Sequence, residues 1–287
     1  MSDDPGAGGA PVFLTSPLLA SLPHGFFTRI GGISTGPFAS LNCSMTSGDL
    51  TESLRENRRR VAASMGVAPE RLLGVTQVHG TAVATVAEPW RPGEGPRADA
   101  MVTDRPGVAL GIITADCGPV LLADAARGVI GAAHAGWRGA VAGMLEAVVA
   151  AMEALGARRD AIAAVVGPCI GQASYEVGPE LRQAIADAGI VANPDKFFEQ
   201  GRDDRLHFDL AGYCVARLEA CGLRTVAAVG CDTRADETRF FSHRRRTLAG
   251  GGPIGHQISV IATIPEDTMV PQGAALHPEG DGRPLHP

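Results

Sequence analysis

One sequence pattern occurs twice, in Ile113-Thr-Ala-Asp-Cys-Gly118 and in Gly131-Ala-Ala-His-Ala-Gly-Trp-Arg-Gly139. Each carries or follows a short apolar run of the kind that forms a buried β-strand. Each run then stops at a reactive side chain among small residues, Cys117 in the first and His134 in the second. Strand ends and loops on a rigid sheet are where chemistry usually lies. The pattern therefore predicts two strands that present Cys117 and His134 at an edge or mouth of a sheet.

A third reactive side chain, His79 in Gln77-Val-His-Gly80, also follows a short apolar stretch. Two imidazoles and one thiolate form a typical catalytic zinc site, in which the fourth coordination position stays open. The spacing leaves two other interpretations open, because the chain has no Cys-x-x-Cys pair. Cys117 could pack as a small hydrophobe beside two hydrogen-bonded histidines. It could also be a nucleophile with His134 or His79 as its base.

Length and composition indicate a sizeable folded core and exclude several classes of function. The 287 residues are 45% hydrophobic, which suits one large domain or two closely joined halves. A net charge of −6 argues against partners such as nucleic acid or an anionic membrane. The apolar runs are too short to span a bilayer, and the first residues lack a signal-peptide pattern. Six scattered cysteines suggest reduced thiols, so we expect a cytoplasmic protein.

Helices and strands alternate along the chain without a repeat, which is typical of a mixed α/β fold. Periodic apolar residues predict helices over residues 51–66, 139–155, 178–188 and 210–221. Short apolar runs between them predict strands, which include residues 72–78, 100–103, 120–123, 129–133, 161–166 and 257–263. The first of these strands would deliver His79, and a further strand over residues 240–244 would close the sheet. The turn at residues 124–128 would pair two of the strands.

Three smaller expectations concern the chain ends, a run of three arginines and His24. Residues 1–10 and 265–287 contain little that could be buried, so we expect disordered tails around one domain at residues 11–264. The run of three arginines at residues 58–60 predicts a solvated helix face. His24 is expected to be a structural hydrogen-bonding residue rather than a metal ligand.

Nine short motifs occur in the same order along nearly the whole chain and resemble those of the YfiH/laccase-domain family. Members of this family have been described as polyphenol oxidases and as purine nucleoside phosphorylases with adenosine deaminase activity. The motifs are His24-Gly-Phe-Phe-Thr-Arg-Ile-Gly-Gly-Ile-Ser34, Ser40-Leu-Asn42, Gln77-Val-His-Gly80, Ala98-Asp-Ala-Met-Val-Thr-Asp104, Thr114-Ala-Asp-Cys117, His134-Ala-Gly-Trp-Arg-Gly139, Gly167-Pro-Cys-Ile170, Tyr175-Glu-Val-Gly178 and Phe240-Phe-Ser-His-Arg-Arg245.

The resemblance implies a layered sandwich, with helices outside two sheets, and a bound metal. The family's metal ligands fall on His79, Cys117 and His134, the three residues that the pattern had already brought forward. Zinc is the expected metal, with copper as the alternative. Zinc in such a site lowers the pKa of a bound water to about 7, which suits attack on C6 of adenosine.

Further side chains are candidates for catalysis and for binding of phosphate. Asp116 could assist proton transfer, or it could turn away and cap a backbone turn. Guanidinium groups match phosphate in bidentate geometry, so four arginines are candidates: Arg138 as a catalytic residue, and Arg29, Arg244 and Arg245 as phosphate contacts. The purine could stack on Trp137 or Phe241, although buried packing is the more frequent role of such rings.

The chain departs from the family pattern after Arg245. Many members have Thr-Gly-Arg after this point, whereas this chain has Thr247-Leu-Ala-Gly-Gly-Gly-Pro253. The segment Leu248 to Pro253 therefore removes one possible cation from the phosphate pocket.

Four functions are compatible with these residues. The first is a zinc enzyme that acts on purine nucleosides and phosphate, by phosphorolysis or by adenosine deamination. The second is a copper-dependent polyphenol oxidase, although eight histidines are few for a multicopper centre. The third is a hydrolase in which Cys117 and His134 act without a metal. The fourth is a binding protein with a structural zinc ion.

Overall fold

The computed structural model describes residues 9–264, and residues 1–8 of the tail expected at 1–10, with the whole tail expected at 265–287, lie outside it. Within residues 9–264 the strands are β1 (Phe13–Leu14), β2 (His24–Phe27), β3 (Leu72–Leu73), β4 (Val83–Thr85), β5 (Ala100–Thr103), β6 (Ala109–Thr114), β7 (Gly118–Asp124), β8 (Val129–Ala135), β9 (Ala163–Val166), β10 (Glu176–Val177), β11 (Phe198–Gln200), β12 (Leu206–Phe208), β13 (Thr225–Ala228) and β14 (Gln257–Ala262). The α-helices are α1 (Thr51–Ser64), α2 (Trp137–Ala142), α3 (Met144–Ala154), α4 (Pro179–Ala188), α5 (Leu210–Ala220) and α6 (His243–Leu248).

The strands form three sheets. Sheet I has the order β1-β2-β14-β6-β3, and sheet II has the order β13-β9-β7-β8-β5-β4. Sheet III is a small addition with the order β10-β12-β11. Strands β7 and β8 form an antiparallel pair across the turn predicted at residues 124–128, with Pro119 opposite His134. This register places Cys117, just before β7, beside His134.

Alternating side chains of β7 supply two separate cores. Val120 and Leu122 belong to the core between sheet II and helices α3 and α5, whereas Leu121 and Ala123 belong to the core between sheets I and II. A strand buried on both faces reads as a continuous apolar run, and its side chains alternate between the faces. A third core lies between sheet I and α1, around Val61. The order of layers is helix, sheet, sheet, helix in one compact domain, which confirms the predicted mixed α/β sandwich.

The predicted strand over residues 72–78 is wrong beyond its first two residues. Only Leu72–Leu73 is a strand, and His79 lies in a turn with a φ of 60°. The side chain of Asp99 binds the backbone N–H groups of residues 78–80, so these groups do not enter a strand ladder. His79 is therefore presented by a carboxylate-bound turn, in a left-handed backbone conformation that is uncommon outside glycine.

The predicted strand over residues 240–244 is also wrong. Phe240 and Phe241 are buried, but the chain then enters α6 at His243. The Ser242 hydroxyl accepts a hydrogen bond from the backbone N–H of Arg245, which makes Ser242 a favourable N-cap. The capping residue therefore overrides the two apolar residues before it, and a helix begins where sequence periodicity indicated the last strand.

The expectation of a solvated face at residues 58–60 fails for Arg58. Arg59 is exposed, as expected, and it pairs with Glu56. Arg58 lies on the same face of α1 as Leu54 and Val61, at helical spacing, and is only 9% exposed. That face packs on sheet I, so the arginine is carried into the protein. His24 acts as predicted, since its ring bonds Ser16 and Leu22.

A buried ion pair ties α5 to α3. Arg217 has no exposed side-chain surface, and its Nε lies 2.6 Å from a carboxylate oxygen of Glu146. Its Nη1 also donates to the hydroxyl of Tyr213 at 2.6 Å. Loss of one partner of such a pair leaves a buried charge without compensation, which is more costly than loss of both.

We expect Glu146→Gln to lower the free energy of unfolding by about 3 kcal/mol, the low end for a buried pair because Glu146 is one-third exposed. Urea titration at constant metal concentration measures this change. The double variant Glu146→Gln/Arg217→Met should recover part of the loss, because the buried charge is removed as well. A full 3 kcal/mol loss in the double variant would show that packing, rather than charge, causes the effect.

Across residues 9–264, no helix has the length and apolar character that a bilayer span requires.

Candidate active site

Three side chains from separate elements converge beside the β7–β8 pair. His79 comes from the turn after β3, Cys117 from the residue before β7, and His134 from β8. One ligand atom of each lies within 4.8 Å of the ligand atoms of the other two. The two imidazole rings meet edge to face, with centroids 4.7 Å apart. The structure therefore brings together the three predicted ligands.

Asp99 is a buried carboxylate that organises two of these three residues. It accepts hydrogen bonds from the backbone N–H groups of His79 at 2.9 Å and Gly80 at 2.7 Å. Its Oδ1 also lies 2.9 Å from Nδ1 of His134. A histidine that donates Nδ1–H to a carboxylate keeps its Nε2 free to bind a metal. Sequence reading missed this role, although Asp99 stands in one of the nine motifs.

The local electrostatics favour a thiolate at Cys117. Burial by itself raises the pKa of the thiol, but hydrogen bonds and charges of His134 and His79 outweigh burial and lower this pKa to about 7. Burial opposes ionisation of Asp99 too, yet its hydrogen bonds from His134 and the turn hold its pKa below the usual value. The cluster therefore combines a readily formed thiolate with a buried carboxylate behind it.

The donor set fits a metal ion. Thiolate and imidazole are the ligands that zinc and copper prefer, and three protein ligands leave one position for another molecule. Gly136 permits the close approach, because a Cβ at this position would lie 3.0 Å from Sγ of Cys117. The cluster opens into a cavity of about 530 Å³, here called the reaction cavity. The residues present therefore fit a catalytic metal ion.

The carboxylate of Asp116 is occupied by hydrogen bonds from neighbouring parts of the fold. Its φ is 88°, and its carboxylate accepts bonds from Thr233 Oγ1 at 2.7 Å, Ser242 Oγ at 3.0 Å and the Arg244 backbone N–H at 2.6 Å. These bonds fix the start of α6 over the cavity. Of the two roles that the sequence left open, the geometry favours the cap.

The four candidate arginines divide into two pairs. Arg138 and Arg244 line the reaction cavity. Arg138 stacks on Trp137 at 4.6 Å, and Arg244 lies 5.4 Å from the ring centre of Tyr175 while donating to the Glu176 carbonyl. Each stacked pair holds a guanidinium at the cavity wall with N–H groups in reach of a bound anion.

Arg29 and Arg245 lie outside the lining of the reaction cavity and are held by carbonyl groups. Arg29 donates to the carbonyls of Ala39 and Glu237 and covers the ring of Phe241 at 4.6 Å. Arg245 donates to three carbonyls of neighbouring loops, those of Thr233, Arg234 and Phe240. Sequence position alone did not distinguish these two arginines from Arg244, which is adjacent to Arg245.

His256 is a cavity residue that sequence reading missed. It follows the unusual segment 248–253, whose glycines at 250–252 all have positive φ. Its backbone N–H donates to Asn42, and its ring lines the reaction cavity. Burial, together with the charges of His243 and His134, lowers the pKa of His256 to about 4. His256 therefore presents a neutral imidazole at the cavity wall.

Comparisons with known proteins find relatives over most of this chain. A family model described as multi-copper polyphenol oxidoreductase laccase matches residues 23–264. A Deinococcus radiodurans protein named purine nucleoside phosphorylase is 44% identical over 242 residues, which are 83% of this chain and 89% of that protein. A Streptomyces coelicolor protein of the same name is 41% identical over 229 residues, or 79% and 93% of the two chains. YfiH of Escherichia coli, also named a purine nucleoside phosphorylase, is 36% identical over 224 residues, or 78% and 88%.

Solved structures show the same fold. YlmD from Geobacillus stearothermophilus superposes with a TM-score of 0.80 at 27% identity, and covers 88% of this chain and 99% of its own. A Neisseria meningitidis protein superposes with a TM-score of 0.78 at 32% identity, and covers 89% and 99%. The match over residues 23–264 and the relatives above 40% identity establish the relationship: the chain belongs to the YfiH family of laccase-domain proteins.

Proposed function

We propose that this protein is a zinc-dependent purine nucleoside phosphorylase that also deaminates adenosine. The observation that carries the proposal is the cluster of His79, Cys117 and His134 opening into a cavity that also presents Arg138 and Arg244. Relatives at 36–44% identity bear the name purine nucleoside phosphorylase, which supports the reaction.

Phosphorolysis requires that phosphate and the nucleoside lie side by side. A phosphate oxygen attacks C1′ of the ribose, the N-glycosidic bond breaks, and its electron pair leaves with the purine. Arg138 and Arg244 are the groups proposed to bind phosphate, since both guanidinium groups stand at the cavity wall on aromatic rings. Tyr175 and Trp137 support those guanidinium groups and narrow the space left for the purine.

The ligands proposed for zinc are His79, Cys117 and His134. When bound, zinc supplies Lewis acidity at the open side of the cluster. Asp99 holds His134 in the tautomer whose Nε2 faces the cluster, and it holds the turn that carries His79. We place the protein in the cytoplasm, because all six cysteines are unpaired, as in a reducing compartment.

Copper-dependent phenol oxidation is the second candidate, since the matching family model is described as a multi-copper oxidoreductase. A multicopper centre needs several clusters of histidine ligands, whereas residues 9–264 contain one His/Cys cluster with metal-binding geometry. Metal analysis of the purified protein separates the two candidates. Zinc alone, with no oxidation of a phenolic dye, would exclude the oxidase.

The deciding experiment is incubation of the zinc-loaded protein with adenosine, with and without phosphate, followed by chromatography. Adenine and ribose 1-phosphate, formed only with phosphate, are the expected products of phosphorolysis. Inosine in both samples is the expected product of deamination. Unchanged adenosine in both samples would overturn the proposal.

Arg244→Gln tests the role of the cavity arginines. A charge-assisted hydrogen bond contributes about 1.5–3 kcal/mol, so we expect the KM for phosphate to rise by about 10- to 100-fold. The KM for adenosine and the rate of deamination should change much less. Arg127→Gln is the matched control, because Arg127 is exposed in the turn between β7 and β8. An unchanged KM for phosphate would remove Arg244 from the phosphate site.

A further inference from the structure

A second cavity lies beside the reaction cavity and has one charged side chain in its wall. It has a volume of about 270 Å³ and shares Thr46, Gln77 and Ile113 with the reaction cavity. Among the described residues that line it, Arg58 is the sole charged group. We call this space the Arg58 cavity.

Arg58 is buried without a counter-ion. It is 9% exposed, and its guanidinium donates to the carbonyls of Leu72 at 3.0 Å and Cys43 at 3.4 Å. Within residues 9–264 no carboxylate pairs with it, whereas Arg59 and Arg60, its neighbours on α1, both pair with Glu56. Cys43 supplies no negative charge, because burial raises the pKa of its thiol to about 12.

A buried guanidinium keeps its charge and is costly unless it is paired and hydrogen-bonded. At Arg58, two carbonyl groups accept some of the five N–H groups, but neither carries a negative charge. A small oxyanion in the adjoining cavity would compensate the charge and accept the remaining N–H groups in the bidentate geometry that arginine prefers.

We propose that the Arg58 cavity is a binding site for a small oxyanion such as phosphate, separate from the catalytic cluster and adjoining it. The wall also includes Thr46, whose hydroxyl group is a further polar partner. The site does not depend on the proposed reaction, since Arg58 lines this cavity and does not line the reaction cavity.

Gly74 provides a way to close the cavity while Arg58 stays in place. It lines the Arg58 cavity, and a Cβ added there would lie 3.8 Å from Nη2 of Arg58 and 3.7 Å from the Gly111 carbonyl. Both distances are ordinary contacts for a Cβ, and we expect the larger side chain of Gly74→Val to fill the space beside the guanidinium. Arg58→Gln removes the charge itself but also alters the bonds to Leu72 and Cys43.

The test is a count of bound inorganic phosphate per zinc-loaded chain by equilibrium dialysis. We expect Arg58→Gln and Gly74→Val each to bind one phosphate fewer than the wild type, and Arg59→Gln, an exposed neighbour, to bind the same number. This difference of one is expected whether or not phosphate also binds at Arg244, so it is independent of the proposed function. If Arg58→Gln does not fold, Gly74→Val decides. An unchanged count in Gly74→Val, or loss of the site in Arg59→Gln, would overturn the proposal.

Discussion

Cys117→Ala is expected to abolish the proposed zinc binding and to slow the proposed turnover of adenosine by about 1,000-fold, a loss comparable to removal of a transition-state contact. Cys117 supplies the only thiolate of the cluster, and the two histidines alone leave zinc with two protein ligands. Changes in groups behind metal ligands typically cost 10- to 100-fold in metal affinity, so loss of a ligand should cost more than about 100-fold. Elemental analysis and a chelator titration measure the metal, and product chromatography measures turnover.

Cys117→Asp separates a metal ligand from a nucleophile. Aspartate is also a zinc ligand, so this variant should retain measurable zinc and a fraction of the activity. If Cys117 were a nucleophile with His134 as its base, both variants would be inactive, and zinc content would not predict activity. Cys221→Ala is the matched control, since Cys221 is a half-buried cysteine at the end of α5. Full turnover in Cys117→Ala would refute the metal-dependent mechanism.

The metal cluster could be predicted from the sequence because two of its ligands belong to one local unit. Strands β7 and β8 and their turn are readable as two apolar runs with a break, and antiparallel pairing sets Pro119 opposite His134. Cys117 must then lie near His134. The structure also brings His79, the third predicted ligand, into the cluster, but the predicted strand before it was wrong. The turn that presents His79 is held by Asp99, which lies 20 residues further along the chain.

The environments of the arginines could not be predicted from the sequence. Arg244 and Arg245 are adjacent, yet Arg244 lines the reaction cavity and Arg245 binds carbonyl groups of neighbouring loops. The difference arises from α6, whose first turn is fixed by Asp116, which lies 128 residues earlier in the chain. Arg58 was misread for a similar reason, since the packing of α1 on sheet I decides which arginine of the run is buried. These contacts join residues far apart in the chain, so no local pattern contains them.

Asp99→Asn is expected to weaken zinc binding by about 10- to 100-fold, the usual effect of changing a carboxylate behind a ligating histidine. Asparagine has the same shape, but it carries no charge and has only one acceptor oxygen for donors that now bind two. The hydrogen bond to Nδ1 of His134 and the bonds to the turn at His79 cannot all be kept. Two of the three ligands therefore lose support through one substitution. A chelator competition measures the affinity, and excess zinc should restore most of the activity.

Asp124→Asn distinguishes this positioning effect from general destabilisation. Asp124 is equally buried at the far end of β7, and its carboxylate accepts backbone N–H groups of Arg127 and Arg158. Its replacement should lower stability while leaving zinc affinity unchanged. In the cobalt-substituted protein, Asp99→Asn should alter the visible absorption bands of the metal, and Asp124→Asn should not. Equal zinc affinities in the two variants would mean that Asp99 stabilises the fold without positioning the ligands. A lower zinc affinity in Asp99→Asn alone would show that one buried carboxylate, just before β5, positions both imidazoles of the site.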